Sequence, residues 1–333
     1  MSETYLSFAE QALHYFNRPH DEIRRAPLDS PAAWRGPELA RGGDWITTVS
    51  PAQIAELDAA LDAVRARNLP LGSIGRAEFP LPTLGAAAQR WAQEIQLGRG
   101  FVFLRGLPVS RWGDDGAAIG FWGLGQHLGR PGAQNPEGDL LGHVVDTGDD
   151  ASNPFVRKYR TARDIAYHCD LADAVGLLCL RASQRGGASR IVSSVSVYNE
   201  LLRQCPELIE RLYEPFLLDT RGEEGDGRPP YVPVPPCRYA DGRLRTFYHS
   251  DYFRSVVRHA EVPPFSPLEQ ELLDRYEAIA SSPELYLDMQ FEPGDVQLIS
   301  NHTVLHARTA YEDAPESGQR RHLLRLWLSL GLG

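Results

Sequence analysis

His168-Cys169-Asp170, followed far downstream by His306 and then by Arg321 and Arg325, is the part of this chain whose residue types could do chemistry. Two imidazoles and one carboxylate make a three-ligand set for one face of a ferrous ion. Three coordination positions then stay open for a cosubstrate and dioxygen. An arginine just beyond the second histidine suits a dicarboxylate cosubstrate, because its planar fork matches a carboxylate. The set points to an oxidative iron enzyme. The His-x-Asp pair alone is weak, since a surface histidine beside an acid arises often by chance. The arginines carry the extra weight.

The elements that must position these groups can be read from periodicity. Residues two apart on a strand point to one face, so an extended segment can aim His168 and Asp170 at one ion while Tyr167 and Cys169 face away. From Arg321 to Ser329 the odd positions read Arg, Leu, Arg, Trp, Ser, and the even positions from His322 to Leu330 read His, Leu, Leu, Leu, Leu. The even face suits packing against helices. The odd face carries two cations inward, where each needs an anionic partner. A structural salt bridge to Asp or Glu is the bland alternative for both arginines.

Around this core, Ser50-Pro51-Ala52-Gln53 and Ser266-Pro267-Leu268-Glu269 read as capped helix starts. Ile54, Leu57, Leu61 and Val64 follow the first at helical spacing, and Leu272, Tyr276 and Ile279 follow the second. A further helix is expected from about Thr83 to Leu97, ended by Gly98. Phe101 to Leu104 reads as a buried strand, stopped by Gly106 and Pro108. Strands are also expected at Leu285 to Phe291, Val296 to Ser300 and His322 to Leu330, with Pro293-Gly294-Asp295 as a turn. Helices in the first half and strands in the second predict a sheet core buttressed by helices. Asp219 to Pro236, rich in Gly, Pro and charge, predicts a long insertion or lid. Its Val232-Pro233-Val234-Pro235-Pro236 run suits a surface loop better than a polyproline ligand.

Bulk composition narrows the function classes. A chain of 333 residues can bury about 75% of its unfolded surface. Hydrophobic residues at 42% and charged residues at 23% are ordinary for a globular protein. A net charge of −10 argues against broad binding to nucleic acid or anionic membranes. Met1 to Phe16 has no basic stretch leading an apolar one, and Ala174 to Leu180 is too short to span a bilayer. The four cysteines, 169, 179, 205 and 237, show no Cys-x-x-Cys spacing. Reduced thiols and a cytoplasmic location are the expectation.

His302 and His306, four apart, raise a rival reading as a helical zinc site of a hydrolase. The general-base glutamate of such a motif is missing, and Thr303 and Val304 favour a strand. His302 is better read as a satisfied core histidine. A metal-dependent hydrolase and a non-catalytic jelly-roll serving for binding or sensing remain the alternatives.

Several segments, in order, resemble the taurine dioxygenase-like (TauD/TfdA) family of Fe(II)/2-oxoglutarate-dependent dioxygenases. They are Gly100 to Leu107, Tyr167-His168-Cys169-Asp170, Gly186-Gly187-Ala188-Ser189 and Pro293-Gly294-Asp295. Asn301 to His306 and Arg320 to Trp327 complete the set. The resemblance covers roughly 95 to 330 and implies an α+β, mainly β fold: a double-stranded β-helix (jelly-roll, cupin-like) core with flanking helices. With no second domain boundary evident, the chain reads as a single domain, 1–333, in which a helical segment of about 1–95 packs on the core and a lid or insertion spans about 219–260. The resemblance implies iron ligands at His168, Asp170 and His306, with Fe(II), 2-oxoglutarate and O2 as cofactor and cosubstrates. Arg321 would bind the distal carboxylate of 2-oxoglutarate, helped by the hydroxyl of Ser189 where the family pattern has threonine. Arg325 would lie near the iron-side carboxylate or the acidic group of the substrate. Asp170 disfavours halogenation, because halogenating relatives carry a small residue there.

No residue names the substrate. Arg157, Lys158, Tyr159 and Arg160 form a basic, aromatic approach to His168, although a solvated charged face is the commoner meaning of such a run. If Arg157 and Tyr159 line the pocket, the substrate is a small carboxylate or amino-acid-like metabolite, acidic or zwitterionic. Tyr231, Tyr239, Phe247, Tyr248 and Tyr252 could supply an apolar wall or pack in the core. Hydroxylation, desaturation and ring closure all start from the same hydrogen abstraction. A homo-oligomer is compatible with the sequence.

Overall fold

The computed structural model describes residues 5–331 except 151, 152, 154, 225, 226 and 314–318. Two of these, 225 and 226, belong to the expected 219–236 insertion and lie outside the described residues. Two sheets face each other. The larger has seven strands, in the order Ile46–Thr48, Phe101–Arg105, Val296–Ser300, Ala174–Arg181, His322–Ser329 and Arg130–Gly132, with Gly142–Val144 also paired to His322–Ser329. The smaller has four, in the order Leu287–Met289, Ser189–Ser193, Val304–Arg308 and Ile165–His168. Side chains of both inner faces meet in one buried cluster that includes Phe101, Phe103, Val175, Ile191, Met289, Ile299, Val304, Leu323 and Trp327. This is a double-stranded β-helix with helices on its flanks.

The outer face of the larger sheet is covered by helices Pro51–Arg67, Leu84–Leu97 and Val109–Leu128. Alternation in the last strand decides which residues go where. Leu324, Leu326, Leu328 and Leu330 join this helical cluster, whereas Leu323 and Trp327 join the interior. The outer face of the smaller sheet packs on Ser194–Gln204 and Pro267–Ala280.

Ser50 and Ser266 each accept from the backbone N–H three residues on, and Gln53 and Glu269 reach back to complete capping boxes. The Leu84–Leu97 helix is capped differently from what its threonine suggests. Glu56, from the neighbouring helix, accepts from the backbone N–H of Thr83 and Leu84 at 2.9 and 3.0 Å. The Val109–Leu128 helix has no sequence signature, because glycine disfavours helix and this one carries several. Packing explains them: a Cβ on Gly123 would sit 2.3 Å from the ring of Phe79, and one on Gly125 would sit 2.8 Å from Leu326. The helix therefore lies close against the sheet and its neighbours.

Pro293-Gly294-Asp295 turns as expected. Gly294 has φ +91°, and a Cβ there would meet the Leu107 carbonyl at 2.1 Å. The expected strand at 285–291 is shorter, Leu287–Met289. The 219–236 stretch is more regular than its composition suggests. Phe216–Asp219 pairs antiparallel with Tyr231–Val234, and Cys237–Ala240 pairs with Arg243–Thr246. Pro233 is tolerated because its two-stranded ladder leaves one side unpaired. Tyr239, Phe247 and Tyr248 pack in the core beneath the smaller sheet rather than forming a pocket wall. No helix among the described residues is long and apolar enough to cross a membrane.

Candidate metal centre and its arginines

The site forms where the smaller sheet ends. His168 is the last residue of Ile165–His168, and it stands directly opposite His306 in the antiparallel partner Val304–Arg308. Opposed residues share a face, so the two imidazoles meet, with ring centroids 4.0 Å apart. Asp170 lies just past the strand. Asn301 holds this corner: its Oδ1 accepts from the Asp170 backbone N–H at 3.0 Å, and its amide donates to the Ala172 carbonyl at 2.9 Å. Tyr167 and Cys169 turn the other way, into the core beneath. Donor atoms of His168, Asp170 and His306 all lie within 4.8 Å of one another, and all three residues are buried.

The surroundings prepare these groups for a cation. His168 Nδ1 donates to the Ala166 carbonyl at 2.9 Å, which leaves Nε2 as the free ligand atom. Asp170 Oδ2 accepts from the Trp327 indole N–H at 3.0 Å. Burial opposes ionisation of Asp170. The charge of Arg325, with Nη1 at 3.7 Å from Oδ1, and the two imidazoles outweigh it, so the carboxyl sits below its ordinary range. Burial also lowers His168, and it pushes His306 down to about 3 with His168 as the next cause. Two neutral imidazoles and one carboxylate are therefore the resting state near neutrality, which is the form a divalent metal requires.

Arg321 and Arg325 both point inward, as the alternation predicts, and are 3% and 7% exposed. Arg325 is braced on all sides. Its Nε donates to Gln134 Oε1 at 2.7 Å, and its guanidinium lies over Tyr159 at 4.6 Å and Trp327 at 5.2 Å. Its charge faces Asp170, so it is not a surplus cation in this state. Arg321 lies against Gly187 and over Tyr311 at 5.1 Å, and its Nη1 has no partner. It also borders a cavity of about 150 Å³ with Cys179, Ser183, Gly187 and Phe291. The Ser189 hydroxyl donates to Gln297 Oε1 at 3.0 Å. Arg157 pairs with Glu223 at 2.5 Å and donates to the Gln134 carbonyl at 3.1 Å, so its charge is engaged. Tyr159 reaches the site through the Arg325 contact. His302 is a satisfied core residue, 2.9 Å from Asp173 and stacked on Tyr15 at 4.6 Å.

Three contributors escaped the sequence reading. Trp327 was legible by its odd position, but nothing marked it as a partner of Asp170. Gln134 clasps both the side chain and the carbonyl of Arg325 from a segment far away in the chain. His249 bridges to His168, with rings 5.0 Å apart, and stacks on Tyr252 at 3.7 Å. No local spacing signals either of the last two.

The buried histidines also set a pH dependence. His168, His249, His302 and His306 are all held below the ordinary imidazole value, with burial the first cause of each. In the unfolded chain each takes up a proton near pH 6.5. Folded-state values are the depressed ones, so the stability these residues contribute is complete above about pH 6.5 and is lost as pH falls below it. In the metal-free protein His306, held at about 3, is expected to account for a loss of up to about 1.4 kcal/mol per pH unit below the ordinary imidazole value, and the other three histidines act in the same direction. Urea unfolding at about pH 7.5 and about pH 5.5 reads this. Equal midpoints at the two values would contradict it.

A jelly-roll barrel with a buried His-x-Asp…His cluster and inward arginines defines the class of non-haem iron oxygenases. Residues 66–327 match the family described as taurine catabolism dioxygenase TauD, TfdA family, and the chain belongs to that family. It is an Fe(II)/2-oxoglutarate-dependent dioxygenase, with Fe(II), 2-oxoglutarate and O2 as its cofactor and cosubstrates. Among similar proteins is FR-33289 synthase of Streptomyces rubellomurinus (strain ATCC 31215). It is 30% identical over 94% of this chain and 93% of its own length. Asparagine oxygenase, solved with Fe(II), 2S,3S-3-hydroxyasparagine and succinate, superposes with a TM-score of 0.67 at 17% identity, over 86% of this chain and 93% of that one. The non-haem iron oxygenase OrfP, solved with Fe and α-ketoglutaric acid, superposes with a TM-score of 0.63 at 16% identity, over 86% and 95%. These solved structures share the fold.

Proposed function

We propose that the enzyme oxidises an unactivated C–H bond of a small acidic or zwitterionic metabolite, with succinate and CO2 released. The observation that carries this reading is the convergence of His168, Asp170 and His306, all buried, in a barrel that also holds the buried Arg321. In it, those three residues hold Fe(II), and Arg321, with Ser189 nearby, anchors the distal carboxylate of 2-oxoglutarate. Bound iron, 2-oxoglutarate and dioxygen supply the oxidising equivalent. The chain's residues do the positioning. His168 is fixed by the Ala166 carbonyl and Asp170 by Trp327, so the ligands are oriented before metal arrives. Neutral His168 and His306 need lose no proton to bind it.

Arg325 takes a second role as charge is redistributed. With its carboxylate committed to a cation, Asp170 balances Arg325 less well, and the buried guanidinium then favours another anion. That anion is the acidic group of the substrate, resting by Tyr159. Arg325→Met tests it against the alternative that Arg325 supports the iron-side carboxylate of 2-oxoglutarate. The expected result is a rise of about 10-fold or more in the substrate requirement, with 2-oxoglutarate binding little changed. Loss of 2-oxoglutarate binding instead would favour the alternative. The best substrate is to be found by mass-spectrometric screening of carboxylates and amino acids for succinate release coupled to oxidation, and a wholly apolar best substrate would overturn the reading.

The chain forms one domain in this reading, with the described part of 219–260 folded over the 157–160 segment. Two ion pairs support this, Arg157–Glu223 at 2.5 Å and Lys158–Asp251 at 2.7 Å. Four buried, unpaired cysteines fit a cytoplasmic setting.

A further inference from the structure

Arg308 lies two residues beyond His306 on the same strand and is 6% exposed. Its strand pairs with Ser189–Ser193 so that His306 stands opposite Ile191 and Arg308 opposite Ser189. Opposed residues share a face, so Arg308 leaves the sheet on the side of His306 and Ser189, toward the barrel interior. Arg321 reaches the same end from the larger sheet. Both guanidiniums rest on the ring of Tyr311, at 4.8 Å and 5.1 Å.

Neither cation has a carboxylate in ion-pair contact among the described residues. Arg308 Nη2 donates to the Thr161 carbonyl at 2.7 Å and to that of Arg163, while its Nε and Nη1 are buried without a partner. Arg321 Nη1 is likewise buried and unpartnered. The other side of this fold shows what satisfaction looks like: Arg105 grips Asp295 through two bonds of 2.9 and 2.8 Å. Two buried like charges sharing one aromatic ring are costly unless an anion joins them.

We propose that Arg308 is a second positioning residue for the cosubstrate, closing with Arg321 on the distal carboxylate of 2-oxoglutarate. The inference rests on the assignment of Arg321 above and extends it to a residue two positions beyond the iron ligand His306. It explains three unsatisfied donors at once, and it makes a charged distal end a condition of tight binding. A single guanidinium would accept a neutral end group more readily.

The test is an anaerobic titration of the Fe(II)-loaded wild type, Arg308→Met and Arg308→Lys with two ligands. One is 2-oxoglutarate; the other is 2-oxovalerate, which keeps the iron-binding end and lacks the distal carboxylate. Arg308→Met is expected to weaken 2-oxoglutarate by about 10- to 100-fold and to leave 2-oxovalerate nearly unchanged, with Arg308→Lys in between. Parallel weakening of both ligands would mean that Arg308 acts only by holding the Thr161 and Arg163 carbonyls, and would overturn the proposal. Unaltered 2-oxoglutarate affinity in both variants would also overturn it. A wild type that does not distinguish the two ligands would instead remove the Arg321 assignment, and this one with it. Should Arg308→Met fail to fold, Arg308→Lys carries the same comparison, because it keeps the charge while losing the fork.

Discussion

Replacing His306 by alanine is expected to abolish Fe(II) binding and turnover together. The cause is geometric. His306 and His168 face each other across one register position, and Asp170 is within reach of both. The two donors that remain leave the third position of the face to exchangeable water, with no exogenous ligand built in to replace the imidazole. Changes to groups merely hydrogen-bonded to a ligand cost about 10- to 100-fold in affinity or activity, so loss of a ligand should exceed that range. The variant should stay folded, since His306 Nδ1 makes no hydrogen bond that would be lost, and removing an imidazole that must stay neutral relieves the acid sensitivity described above. Equilibrium dialysis against Fe(II) and succinate release read the two effects. Full activity in His306→Ala would sink the assignment of this residue.

The second large effect is expected at Arg321. Lysine keeps the charge but offers a point donor where the guanidinium offers a fork, and only the fork can make two parallel bonds to one carboxylate. Arg321→Lys should raise the 2-oxoglutarate requirement by about 10- to 100-fold and leave iron binding nearly intact. The separation matters more than the size. Arg321 immediately precedes the last strand of the larger sheet, and its side chain meets Gly187 and Tyr311 rather than the three metal-binding candidates. A variant that lost iron in step with 2-oxoglutarate would show that the arginine supports the ligand cluster rather than a cosubstrate.

What the sequence could announce, and what it could not, follows from the range of the interactions. Alternation in 321–330 was enough to send Arg321, Arg325 and Trp327 inward and four leucines outward, because strand parity is local. Capping boxes at Ser50 and Ser266 are equally local. The pairing of His168 with His306 was suggested only by residue type and order; its geometry comes from a ladder between strands far apart in the chain. Arg325 looked like spare charge because Gln134 and Asp170, which brace it, are distant in sequence. The Val109–Leu128 helix was invisible because its glycines answer to Phe79 and Leu326 rather than to helix propensity. The strands within 216–246 were hidden by Pro, Gly and charge, which two-stranded ladders tolerate and central strands do not. Arg308 was hidden for a different reason: nothing in its neighbourhood marks an arginine as lacking a partner until the fold brings Arg321 beside it.

The central claim is that His168, Asp170 and His306 hold Fe(II) in a form that accepts 2-oxoglutarate. Anaerobic addition of Fe(II) and then 2-oxoglutarate to the metal-free protein, followed by visible absorption, tests it most directly. The account predicts a charge-transfer band that appears only when both are present, saturates at one equivalent of iron per chain, and is missing in His306→Ala. No band in the wild type, or an undiminished band in His306→Ala, would contradict it.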